Sequence, residues 1–216
     1  MMSEPYSVEP PRTAARLVSL FTLAEEAESI LGDLLEEFSS LASNSGAAFA
    51  RKWYWRQALK TIAHLIPTAF SVAPWSTTAG VVGGFLTRRL LARLPGRTIF
   101  AVLERYQVYQ YHFKTYMFFA STGIDIGIFI TFLCAGCIVA LVAKGTEMAA
   151  AMVLSLIFGA MAVVGFVGFL YVVGRPGDLE SLWMLTWYFA DSLAIVIGAA
   201  IVRTRRLNAT TLPLNP

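Results

Sequence analysis

Charge is what this sequence has least of. Only 14% of its 216 residues are Asp, Glu, Lys or Arg, against about 25% in an ordinary soluble domain. Together with 56% hydrophobic residues and a mean hydropathy of +0.61, this excludes a soluble core as the main body of the chain. The net charge of +3 is small and its bases form no stripe, so nucleic acid is not an expected partner. Two cysteines do not make a disulfide framework. His64 and His112 are isolated, so no metal or other cofactor is expected. Residues 1–16 are polar, with Pro5, Pro10 and Pro11, and do not resemble an apolar cleavable leader.

Long apolar runs are what is present. A helix crossing ~30 Å of hydrocarbon needs roughly 20 of them in a row. Four runs meet or approach this, at about 62–87, 115–143, 148–174 and 181–202. The expectation is an all-α polytopic bundle. The first run contains His64, Pro67 and Pro74, and each proline removes a helical hydrogen bond. It reads either as a kinked span or as a shallow helix followed by a shorter span from near Trp75. The short joints "KGTE" and "RPGDLE" make the last three spans antiparallel neighbours. Between the first two spans, "RRLLARLPGRTIFAVLERYQVYQYHFK" breaks at Pro95 and Gly96 and turns rich in tyrosine. Tyr106 and Tyr109 with nearby bases suit a helix over about 98–114 at headgroup level. The domain reading is 1–60 as an N-terminal unit, 61–206 as the membrane domain and 207–216 as a tail.

The N-terminal unit reads as two helices. Thr22 and Glu25 form a candidate capping box. Ala27, Ile30, Leu31, Leu34, Phe38 and Leu41 then recur at helical spacing. The opposite face holds Glu25, Glu26, Glu28, Asp33, Glu36 and Glu37. "SNSG" at 43–46 stops this helix. A second helix from near Ala47 carries Arg51, Lys52, Arg56 and Lys60. The pair is expected to form an amphipathic hairpin at the membrane surface. Its charges attract weakly, at ~0–1 kcal/mol per exposed pair, so apolar faces must supply most of the stability. Trp53, Tyr54 and Trp55 beside Arg56 read as interfacial anchors.

"GDLLEEF", then "WYWRQAL", then an apolar run ending "GGFLTRR", resemble the N-terminal permease prefix domain found ahead of some bacterial FtsX/MacB-like ABC permeases and in small stand-alone membrane proteins. The likeness covers roughly residues 13 to 97. It implies a multi-pass protein of the bacterial inner membrane with its N-terminus inside. Charge alone leaves orientation open. With the N-terminus inside, the inner side holds Arg51, Lys52, Arg56, Lys60, Lys144, Arg203, Arg205 and Arg206, and the outer side Arg88, Arg89, Arg93, Arg97, Arg105, Lys114 and Arg175. The chain departs from such permeases in lacking a long permease core and a large extracytoplasmic domain, and the absence of a Walker motif speaks against an ATPase.

Asp191 is the most informative residue, in the middle of the last run, where a charge costs at least ~2.5–3.5 kcal/mol and normally faces other helices. It reads either as a proton or solute relay or as a group locking helix packing. Trp187, Ala194 and Gly198 share its face, and Ala194 with Gly198 makes a small-residue pattern. Asp125 is placed nearer a helix end. Gly123 and Gly127 lie on a small, polar face with Thr131 and Cys134, and Gly80 with Gly84 gives another packing pattern; glycines 159, 165 and 168 are further close-approach candidates. The GxGD pattern of intramembrane aspartyl proteases is absent from the strings around both aspartates. Cys134 and Cys137 form CxxC in an apolar setting, where a thiol stays neutral. No catalytic constellation emerges. The leading expectation is a non-enzymatic accessory subunit, binding a larger membrane complex such as a transporter through its small-residue faces and acidic helix. A small carrier working through Asp191 is the second reading.

Overall fold

The computed structural model describes residues 9–22, 24–173 and 179–211, and every element within them is helical. The chain divides into two compact units, Met1–Ala73 and Pro74–Pro216.

The first unit contains α1 (Arg12–Phe21), α2 (Ala24–Ser45) and α3 (Ala47–Val72). It is a three-helix unit rather than a hairpin, because α1 packs on both α2 and α3. Each helix buries a row of residues at four-residue spacing: Ala14 and Val18, then Leu34 and Phe38, then Ala50, Tyr54, Ala58 and Ile62. Phe38 meets Tyr54 edge to face, with ring centroids 5.7 Å apart. The reversal between α2 and α3 rests on Gly46, whose φ of 88° suits a residue without a Cβ.

The structure bears on three sequence readings in this unit. Tyr54 is no interfacial anchor: it is 1% exposed, at the centre of the core, because it falls on the Ala50–Ala58 row. The Thr22 hydroxyl donates to the Val18 carbonyl at 2.5 Å, which closes α1; the Glu25 side chain lies outside the described residues. Among the described residues no ion pair joins the acids of α2 to the bases of α3, and these side chains are exposed.

The second unit holds α4 (Pro74–Leu91), α5 (Leu94–Arg105), α6 (Val108–Tyr111), α7 (Phe113–Phe118), a π-helical turn (Phe119–Gly123), α8 (Ile124–Val142), α9 (Glu147–Val173) and α10 (Leu179–Thr211). Three stretches are long and apolar enough to cross a membrane: Phe113–Val142, Glu147–Tyr171 and Leu185–Ala209. The protein is thus a helical bundle with the character of a multi-pass membrane protein. The apolar run at 61–87 does not form one span. It is divided at Ala73, its first part completing α3 and its second forming α4. Pro67 lies within α3, while Pro74 opens α4, where its missing N–H costs nothing. The expected 98–114 helix is likewise divided among α5, α6 and α7, with Gln107 at a φ of 50° breaking the first from the second.

α4 packs against α8 and α9, and α8 and α9 pack against α10. Small residues set these contacts. A Cβ on Gly136 would stand 2.0 Å from the Ile195 carbonyl oxygen, and one on Gly198 would stand 2.2 Å from that of Leu133. The α8–α10 crossing is therefore backbone against backbone. Gly80 lies under Ala143, Gly84 under Val139 and Leu154, and Gly127 under Pro95. At one end of the bundle the Thr77 and Thr146 hydroxyls are 2.9 Å apart. There, too, Glu147 accepts from Arg203 at 2.6 Å and from Arg206 at 2.7 Å. Arg206 also reaches the Ala140 carbonyl at 3.1 Å, a cation satisfying a helix-end acceptor.

Candidate functional site

Three helical rows converge on one cleft. On α4 the glycines that face α8 and α9 are Gly80 and Gly84, and the next four-residue step is Arg88. On α10 the same step relates Trp183, Trp187 and Asp191. On the segment entering α8, Ser121 and Asp125 stand one such step apart. Arg88, Ser121, Asp125, Trp183, Trp187 and Asp191 line a cavity of about 440 Å³, within the range of small-molecule sites. The π-helical turn contributes Ala120 and Ser121 to its wall, and such turns re-aim side chains within otherwise regular helices.

Polar atoms here lack protein partners. Asp191 is 7% exposed, and its Oδ1 is buried with no hydrogen bond. The Arg88 Nε and the Trp187 Nε1 are buried and unbonded as well. Each such atom costs ~1–3 kcal/mol if left dry. The Arg88 guanidinium sits 4.3 Å above the centroid of Phe132, a cation–π arrangement. Arg88 and Asp191 interact electrostatically, and Asp125 adds a second carboxylate within range. No ion pair within 4 Å joins Arg88 to Asp191 among the described residues. Their charges oppose across a space instead of closing a bridge. Trp183 and Trp187 meet edge to face with centroids 5.9 Å apart, forming part of an aromatic wall.

Two smaller cavities adjoin. One of about 210 Å³ lies on the α9 side, and Arg88, Phe132, Tyr188 and Asp191 line it as well as the larger one. Another of about 200 Å³ is bounded by Phe85, Arg88 and Phe158. Arg88 borders all three. The Asp191 end of the bundle is distinct from the Glu147 end: at 1.5 Å per residue, Asp191 lies about 18 Å along α10 from Arg203.

The remaining sequence candidates have other roles. Ala194 is fully buried, and Gly198, Gly80, Gly84 and Gly127 close contacts inside this unit. Gly123 lies in the π-helical turn against Phe119 and Ile99. Gly165 and Gly168 have nothing within 4 Å of a built Cβ and make no close helix approach. Trp53 and Trp55 lie half-buried against the core of the first unit, and Arg56 is exposed. Tyr106 and Tyr109 are 69% and 60% exposed. Cys134 and Cys137 are free thiols, and the Cys137 thiol donates to the Gly198 carbonyl at 3.5 Å. His64 and His112 are exposed. Among the described residues no three His, Cys, Asp or Glu side chains gather as a metal site would require.

Sequence reasoning found Asp191 and missed its counter-ion. The signal was present in the spacing, since Gly80, Gly84 and Arg88 form one row. Charge counting places Arg88 with Arg89 among the bases on one side of the membrane. No family model, curated protein or solved structure matches this chain.

Proposed function

We propose that this chain is a non-enzymatic multi-pass membrane protein that binds a small polar solute in the Asp191 cleft and acts as its carrier. The observation supporting this reading is the unbonded Asp191 Oδ1, buried in a cavity that also holds two unbonded N–H donors. A packing lock would use those groups on each other, because a buried charge is stable only when paired at close range. Here they are held apart around a space, as in a site prepared for a guest. The junction of two cavities at Arg88 and Asp191 suits passage of that guest past the pair. In this reading α4 serves as a fourth span, and the Arg203–Arg206 end faces the cytoplasm of a bacterial inner membrane, as the permease-prefix resemblance implies. The test is a thermal-shift screen of the purified chain in detergent against small amines, acids and zwitterions. At least one class should raise the Tm of the wild type and leave Asp191→Asn unchanged. A panel without any Asp191-dependent shift would refute the carrier reading.

The accessory-subunit reading keeps one favourable observation. Glu26, Glu28, Asp33, Glu36 and Glu37 form an exposed face on α2, free to meet a basic partner. Part of its other support weakens, because Gly80, Gly84, Gly127 and Gly198 are consumed within the bundle, while Gly165 and Gly168 stay open. "GDLLEEF" and "WYWRQAL" lie on α2 and α3, which pack together through Phe38 and Tyr54; this favours treating these two motifs as parts of one unit, whereas the run ending "GGFLTRR" belongs to the other. A stoichiometric partner recovered in mild detergent, and lost when these acids become Lys, would support that reading.

A further inference from the structure

We infer that the solute taken by the cleft is a zwitterion, carrying an ammonium group and an oxyanion such as phosphate or carboxylate within one small skeleton. This rests on the reading of the cleft as a binding site and specifies its ligand class. The argument is one of matching unsatisfied groups. The Arg88 Nε and Trp187 Nε1 are donors, and an acceptor on the ligand must meet them; the Asp191 Oδ1 is an acceptor, and a donor must meet it. A simple organic cation would satisfy Asp191 and leave both donors dry beside a like-charged guanidinium. A simple anion would satisfy the donors and face the Asp191 and Asp125 carboxylates. A ligand with both charges leaves nothing orphaned.

The walls agree with this division. Trp183, Trp187 and Tyr188 stand on the same helix as Asp191, and aromatic faces beside a carboxylate are what an ammonium prefers. The Arg88 guanidinium is already fixed over Phe132. It can therefore meet an oxyanion with little further ordering cost. The cavity of about 440 Å³ holds a headgroup-sized molecule. Two sources share this chemistry: a free zwitterion entering from water, and the headgroup of a zwitterionic phospholipid entering from the bilayer.

The test is calorimetric titration of the full chain in detergent with glycerophosphoethanolamine, a soluble phosphate-plus-ammonium probe. Ethanolamine and glycerol phosphate serve as its single-charge halves, and 4-aminobutyrate as a carboxylate zwitterion. At least one zwitterion should bind, with each half about 10- to 100-fold weaker, the loss expected when one hydrogen bond to a charged group is missing. Asp191→Asn should weaken the zwitterion and should not weaken glycerol phosphate, whose binding tightens once a facing carboxylate is removed. Trp187→Phe, which keeps the ring and removes the N–H, should weaken zwitterion and glycerol phosphate alike. Variants are compared only if their helical circular dichroism and elution match the wild type, and Ser121→Ala provides a conservative second probe of the same wall. A single-charge half binding as tightly as the zwitterion, with sensitivity to Asp191→Asn, overturns the zwitterion assignment and leaves the cleft reading standing. No binding by any probe, together with no phosphatidylethanolamine retained in native mass spectra, overturns both. Retained phosphatidylethanolamine that Asp191→Asn releases, with no binding of the soluble probes, supports the assignment and identifies the bilayer as the source.

Discussion

Replacing Gly136 or Gly198 by alanine puts a methyl group where a backbone carbonyl already stands. Such a Cβ would lie 2.0 Å from the Ile195 oxygen or 2.2 Å from the Leu133 oxygen, and real Cβ atoms essentially never come within 3.0 Å. The helices must part by about 1 Å at Gly136 (3.0 less 2.0). That movement also opens the contacts of Ala135, Ala194, Ile195 and Ala199, all of which are fully buried. Overpacking of this kind costs ~1–3 kcal/mol, while alanine's better helix propensity returns up to ~1 kcal/mol. A net loss of about 1–2 kcal/mol corresponds to a Tm fall of about 2–8 °C for a chain of this size. The measurement is temperature-resolved size exclusion of the full chain in detergent. Gly159→Ala is the control, since its Cβ would meet only the Ser192 hydroxyl at 3.7 Å and should leave Tm level or slightly raised. If Gly136→Ala and Gly198→Ala melt at or above Gly159→Ala, the close α8–α10 crossing is not a determinant of stability and the reasoning fails.

Glu147→Gln should lower Tm more than Arg206→Gln does, because it leaves the Arg203 side chain, 8% exposed, without its carboxylate. Removing one member of a buried pair costs ~3–5 kcal/mol, whereas the Arg206 side chain is 35% exposed; equal melting shifts would contradict the geometry. Phe38→Ala should cost ~3–5 kcal/mol in the first unit and speed tryptic cleavage at Arg51, Lys52 and Arg56, while Glu28→Ala should leave the digestion pattern unchanged. Burial raises the Tyr54 hydroxyl pKa above its ordinary value, so the folded state favours the neutral phenol. The stability this group confers is intact below pH ~10 and is lost as pH rises through the folded value. Unfolding of the first unit should therefore accelerate in alkali, and Tyr54→Phe should remove that dependence.

The apolar runs made the helical membrane character legible, because crossing hydrocarbon leaves a long compositional trace. Their limits were legible only where no proline intervened. Pro74 looked like an interior defect of one helix and is in fact the first residue of another, which a run of hydropathy cannot distinguish. α1 was missed because its two buried residues, Ala14 and Val18, give too short a period to stand out beside three prolines. Tyr54 was misplaced because its neighbours Trp53 and Trp55 suggested a belt, while its own four-residue row with Ala50 and Ala58 pointed inward. In the cleft, Asp191 declared itself by the cost of its charge. Arg88 did not, because a base at the end of an apolar run is ordinarily a flank. The π-helical turn that brings Ser121 into the wall has no sequence signature at all.

The Glu147 cluster also bears on how the protein is made. Its carboxylate leads α9, yet both of its arginines belong to the last two turns of the apolar stretch of α10 and its continuation. Synthesis runs from one end, so Glu147 reaches the bilayer before either partner exists. Some fifty further residues are added before Arg203 exists to answer it. Only when Arg203 and Arg206 leave the ribosome does the α8–α9 joint acquire its clamp, and only then can Gly136 and Gly198 bring α8 and α10 together. α10 is thus the element whose contacts complete the packing of the second unit.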